Sequence, residues 1–137
     1  MKAIQVTETG GPEVLKYIDL PDPEPRAGQA LIDLQAVGVN FLDVLGRADG
    51  GAPPALPWIP GIEGAGVVSA IGDDVSEVSV GDVVAYRGVP GSYAEKVVAP
   101  SASLVKMPEG LDARTGATAM LQGMTAHYLC HSAYPLQ

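Results

Sequence analysis

The chain has 137 residues, enough for one ordinary domain, and its 47% hydrophobic against 18% charged content suits a packed core rather than a disordered segment. Sixteen acidic and eight basic residues leave a net charge of −8, which repels nucleic-acid phosphates and anionic membrane surfaces. The lone Cys130 cannot form an internal disulfide, no run reaches the roughly 18 apolar residues of a membrane span, and Met1–Gly11 lacks the pattern of a secretory leader, so a cytoplasmic location is the expectation.

Twelve prolines and 17 glycines, scattered among short apolar runs, are the punctuation of a β-rich, loop-rich fold. Lys2 to Thr7 reads as a strand, Gly10-Gly11-Pro12 as a turn, and Val14 to Leu20 as a returning strand whose Leu15, Tyr17 and Ile18 are core candidates. Three prolines between Pro21 and Pro25 break the pairing, and Gln29 to Val39 follows as a long central strand. Asn40 is a good N-cap for a short helix carrying Phe41, Val44 and Leu45 at helical spacing. Ala48 to Pro60 reads as a surface loop.

Gly61 to Ile71 forms the next strand, where Gly64 and Gly66 permit a bulge or the close approach of another group. Val83 to Tyr86, Tyr93 to Ala99 and Leu104 to Lys106 are further strands, at the spacing of a barrel or sandwich. Leu111 to Leu121 and Met124 to Ala133 change to helical patterning. The chain thus divides into a barrel over residues 1–110 and a helical segment over 111–137.

Four segments carry chemistry: Gly38-Val39-Asn40-Phe41-Leu42-Asp43, Pro60-Gly61-Ile62-Glu63-Gly64-Ala65-Gly66, Gly81-Asp82-Val83-Val84, and Gly91-Ser92-Tyr93-Ala94-Glu95. In this order they resemble the N-terminal GroES-like catalytic domain of the medium-chain dehydrogenase/reductase superfamily. Adding Gly11-Pro12-Glu13-Val14-Leu15 and Met120-Leu121-Gln122-Gly123-Met124-Thr125-Ala126, the resemblance is to its zinc-free quinone oxidoreductase branch, over essentially the whole chain. It implies a mainly β fold with C-terminal helices, a partly open GroES-like β-barrel.

Zinc members of that superfamily place Cys where Asn40 stands and His where Ile62 stands, and Asn and Ile supply neither thiolate nor imidazole. A quinone accepts hydride without an alkoxide-stabilising metal, so the resemblance implies NADPH as cofactor, a quinone-type small molecule as substrate and no metal. Asn40 and Glu63 become the catalytic candidates, with Phe41, Asp43, Arg47 and Thr125 near substrate or nicotinamide. An enone or enoyl reductase, or a non-catalytic GroES-like binding module, is the alternative.

The residues themselves leave simpler readings open. Asn40 serves equally as a helix cap. Glu63 reads as well as a structural carboxylate bonded to nearby backbone or to Arg47, Asp43 as a surface or ion-pair residue, and Arg47 as a solvated helix end. Trp58 and Tyr93 read as packing residues, and Cys130 as a semi-buried structural thiol. His127, Cys130 and His131 share one helix face with no second cluster of metal ligands in the sequence.

Where relatives carry two tyrosines facing the pocket, Leu45 and Gly51 stand here. Such relatives continue beyond the helical segment into a Rossmann domain whose glycine-rich turn holds the pyrophosphate, and no such turn occurs in these 137 residues. The expectation is therefore weak NADPH binding and little or no activity in the isolated chain. Met120, Leu121, Met124, Tyr128 and Leu129 should leave an apolar stripe prone to self-association.

Overall fold

The structure, a computed structural model, describes residues 1–48 and 55–134. Two strands, β1 (Lys2–Gln5) and β2 (Lys16–Asp19), form an antiparallel ribbon with Lys2 opposite Asp19. Among the described residues the other five are β3 (Gln29–Val37), β4 (Glu63–Ile71), β5 (Val83–Arg87), β6 (Lys96–Pro100) and β7 (Leu104–Lys106). They make one antiparallel sheet in the order β6-β3-β4-β5-β7, which does not close. The mainly β class with C-terminal helices is therefore the observed one.

The β-strand period of two sorts β5 between two cores. Val84 and Tyr86 enter the larger core with Ala30, Ile32, Val68, Val97 and Ala99. Ala85 points to the opposite face, where Ala65, Ala113 and Ala117 form a second cluster. Alanine on both partners lets helix α2 (Ala113–Thr118) lie close against β4 and β5. Each fully buried valine or isoleucine of the larger core contributes about 1.5–3 kcal/mol, so these residues dominate the stability of the sheet.

Several elements differ from the sequence expectation. The returning strand starts at Lys16, because Pro12–Val14 makes a 3₁₀ turn with proline at its first position. Tyr17 is 69% exposed rather than in the core, since β2 pairs only with β1 and turns that face outward beside Lys2. The strand expected from Tyr93 begins at Lys96, because the Tyr93 N–H donates to the Pro60 carbonyl while Ala94 pairs as an isolated bridge with Ala3. Trp58 packs on Gly46 and bridges Val6, as a packing residue should.

A register shift in β3 between Leu34 and Ala36 faces Gly66 and Ala65 of β4. A side chain at Gly66 would collide with the Asp33 backbone, so glycine is what lets the two strands approach there. The irregularity re-aims the end of β3 into Gly38-Val39-Asn40, where helix α1 (Phe41–Arg47) starts.

After α2 the helix continues through a widened π turn at Ala119–Gly123, an α turn at α3 (Met124–Tyr128) and a second π turn at Leu129–Ala133. The helical patterning from Ala113 is thus present as one run, and only its first two turns bury residues: Ala113, Gly116 and Ala117. No helix among the described residues is long and apolar enough to cross a membrane.

Candidate active site

Asn40 stands at the N-cap of α1 with an extended backbone (φ −120°, ψ 151°), as its residue type favours. Its backbone N–H donates to Asp43 Oδ2 at 2.9 Å, the reach-back half of a capping box. Asp43 is buried, in contrast to its reading as a surface or ion-pair residue. Three donors hold it there: Asn40 N–H, Gly61 N–H to Oδ1 at 3.2 Å, and the Tyr93 hydroxyl to Oδ2 at 2.9 Å. Gly61 adopts φ +88° against the Tyr93 ring, a conformation and a clearance that only glycine offers. Burial and the neighbouring Asp43 carboxylate push the Tyr93 phenol well above its ordinary pKa, so this proton stays on the hydroxyl.

The Asn40 side chain meets Glu63, the first residue of β4 and fully buried. Asn40 Nδ2 donates to Glu63 Oε1 at 2.9 Å. Gln122, in the first π turn, adds a second donor to the same oxygen at 2.7 Å, and its Nε2 also reaches Asn40 Oδ1 at 3.2 Å. Gly38 makes room for the carboxylate, since a Cβ at that position would overlap it. Glu63 Oε2 is buried without a hydrogen-bond partner.

The expected Arg47 contact to Glu63 is absent. Arg47 Nη1 instead donates to the Gly10 carbonyl at 3.0 Å, and the Gly10 N–H returns a bond to the Arg47 carbonyl at 2.7 Å. Arg47 therefore fastens the N-terminal segment to the end of α1. Amide donors, rather than a cation, hold the buried carboxylate: none of the salt bridges among the described residues includes Glu63.

Gln122 lines a cavity of about 490 Å³ together with Gly38, Val39, Arg114 and Thr118. Thr125 lies in a different one, about 320 Å³, with Arg87, Met120 and Tyr128. A more apolar groove of about 460 Å³, walled by Ile4, Tyr17, Leu34 and Val39, contains none of Asn40, Asp43, Glu63 or Gln122. The cavity at Gln122 adjoins the Asn40–Glu63 side of the polar cluster, and a smaller one of about 220 Å³ is lined by Asp43, Arg47 and Tyr93. Phe41 is 72% exposed at the start of α1, and Leu45 is exposed on the same helix. Gly51, the other departure noted in the sequence, lies outside the described residues.

His127 and His131 stack with ring centroids 4.5 Å apart, and Cys130 is half-buried. Among the described residues no group of three or more His, Cys, Asp or Glu is placed to hold a metal ion.

The alcohol dehydrogenase GroES-like domain profile matches residues 26–109, a segment running from the start of β3 past β7 and containing Asn40, Asp43, Glu63 and Tyr93. The chain belongs to this family. Relatives extend the similarity over the whole chain. A quinone oxidoreductase of Pseudomonas aeruginosa is 41% identical over 137 residues, covering 99% of this chain and 42% of that protein. A mycobacterial protein solved with NADPH is 43% identical, with a TM-score of 0.89 over 100% of this chain and 43% of that one. The Escherichia coli quinone oxidoreductase solved with NADPH is 29% identical, with a TM-score of 0.93 over 100% of this chain and 42% of that one. The chain thus spans about two fifths of the length of the proteins it matches.

Within the family frame, Asn40 and Glu63 of the sequence-based site are brought together directly, and Asp43 joins them through the Asn40 backbone. Arg47 and Thr125 are not hydrogen-bonded to that cluster. Gln122 completes it, a residue of the Met120–Ala126 segment to which the sequence assigns no role. Only the fold carries it across 82 positions to Asn40.

Proposed function

We propose that this chain forms the acceptor side of an NADPH-dependent quinone reductase working without a metal. The observation that carries this reading is the Asn40–Glu63–Gln122 cluster, whose Gln122 lines a cavity: a wholly buried carboxylate with one unpartnered oxygen, held by two side-chain amides. A barrel serving only as scaffold gains nothing from such a group, which costs stability through desolvation.

Phe41 and Thr125 are the residues this reading assigns to the nicotinamide end of the cofactor, Thr125 from the separate cavity it lines with Arg87 and Tyr128. The described residues form no glycine-rich phosphate cradle, so the rest of the dinucleotide finds little to hold it here. NADPH, when bound, supplies the hydride. A quinone carbonyl that accepts it also takes up one proton for each hydride, giving the hydroquinone.

The chain's own residues orient that carbonyl. An amide nitrogen carries two hydrogens, and Glu63 Oε1 accepts one from Asn40 Nδ2. The second is the donor this reading assigns to the acceptor oxygen, where negative charge grows during reduction. The proton taken up with each hydride comes from solvent.

The test is NADPH consumption by the 137-residue chain with duroquinone, together with side-chain amide NMR of Asn40 during a duroquinone titration. Expected are quinone-dependent oxidation slower than the roughly 1 s⁻¹ at the low end of ordinary enzymes, and a saturating shift of the Asn40 amide. Absence of both overturns the reading. Turnover at ordinary rates overturns the expectation that this chain alone is weakly active.

A further inference from the structure

We propose that Gln122 is a positioning residue, and that the π turn at Ala119–Gly123 exists to aim it at Asn40 and Glu63. The inference deepens the reading above and rests on Asn40 as the donor to the acceptor carbonyl. The Met124 N–H reaches back to the Ala119 carbonyl, five residues away, so the helix is widened where Gln122 projects. Such π turns concentrate at functional sites because they displace one side chain from the regular helical face.

Gln122 makes twofold use of that displacement. Its Nε2 carries two hydrogens, and two bonds occupy both: one to Glu63 Oε1 at 2.7 Å, one to Asn40 Oδ1 at 3.2 Å. Glu63 alone fixes which end of the Asn40 amide faces it, but leaves the amide plane free to rock about that single bond. Gripping Oδ1 as well fixes the plane, and with it the direction of the second Nδ2 hydrogen.

The position of Gln122 along the helix adds a consequence. The last fully buried residue is Ala117, Met120 still packs on the second cluster, and Met124, Tyr128 and Leu129 beyond it are each more than half exposed. Gln122 is the side chain through which the outward-running helix is hydrogen-bonded to the barrel's buried carboxylate. A displacement of that helix therefore re-aims Asn40.

The experiment compares the full chain with Gln122→Met, which keeps the length but removes both donors, and Gln122→Glu, which replaces them with acceptors. Gln122 is exposed, so both variants should retain a dispersed backbone spectrum. The readouts are Asn40 side-chain amide shifts, solvent exchange of those protons, and the split between kcat and KM for duroquinone.

Expected in Gln122→Met are altered Asn40 amide shifts, exchange faster by about fivefold to tenfold, and a comparable fall in kcat with KM for duroquinone within about twofold. Gln122→Glu should lose more. Unchanged Asn40 amide shifts and exchange in both variants overturn the positioning role whatever the activity. Altered amides with unchanged kcat in a wild type that turns over overturn its link to the reaction. A wild type with neither turnover nor a duroquinone-induced shift overturns the function proposed above, while the amide comparison still decides whether Gln122 positions Asn40.

Discussion

The Tyr93 hydroxyl donates to Asp43 Oδ2 at 2.9 Å, joining residues 50 positions apart. Because Asp43 also accepts from the Asn40 and Gly61 backbones, this phenol closes a small buried network at the entrance to α1. Tyr93→Phe removes one donor and leaves the carboxylate short of a partner. A stability loss of about 1–3 kcal/mol is expected, read as a lower urea midpoint at unchanged slope. An unaltered midpoint would mean that the network carries no weight.

Alkaline pH should weaken the fold through its buried phenols. Burial is the main cause that pushes Tyr86 up to about 12, and Ser92, bonded to its hydroxyl at 2.8 Å, offsets this only in part. Tyr93 is raised as well, first by burial and then by Asp43. The unfolded chain releases these protons near pH 10, before the folded one does. Their stabilisation is therefore complete below about pH 10 and is lost as pH rises through the folded values. Urea midpoints from neutral pH to beyond pH 10 should fall less steeply in Tyr86→Phe than in the wild type, and parallel slopes would refute the assignment.

Three glycines give a graded test of close approach. Gly66→Ala drives a methyl into the Asp33 backbone, which cannot swing aside, whereas Gly38→Ala meets the Glu63 side chain, which can. Gly66→Ala should cost at least the ~1–3 kcal/mol typical of overpacking, and Gly38→Ala less, at the expense of the bonds to Asn40 and Gln122. Gly123→Ala meets nothing nearer than 3.5 Å and removes a flexible residue from a helix. It should stabilise by about 0.5–1 kcal/mol. Thermal melts that rank the three otherwise would sink this account.

The outer helix leaves Met124, Tyr128 and Leu129 exposed at 51%, 59% and 53%, a larger apolar stripe than an isolated surface residue creates. Concentration-dependent association is the expected outcome in sedimentation velocity, reduced in a Tyr128→Lys, Leu129→Lys double variant. A wild type that stays monomeric across the accessible concentration range would count against it.

Strand content and its punctuation were readable because alternation and turn residues are local signals. Gln29–Val37 and Glu63–Ile71 fall within the stretches that patterning marks. Tyr17 was misplaced for a non-local reason: an aromatic residue at strand spacing says nothing about whether a second layer covers it. The burial of Asp43 was equally hidden, since its partners Gly61 and Tyr93 arrive from separate loops.

By itself, the sequence determined the class of fold, through the spacing of apolar runs and of Gly and Pro, and it singled out Asn40 and Glu63 through motif order. Tertiary structure alone decided which neighbours those two have. Arg47, near in sequence to Asn40, turns to Gly10, while Gln122 comes to both from the far helix. A residue type fixes what bonds a side chain can make. The partner is fixed by strand register, a β-bulge in β3 opposite Gly66 and a widened helical turn, which are properties of the packed chain as a whole.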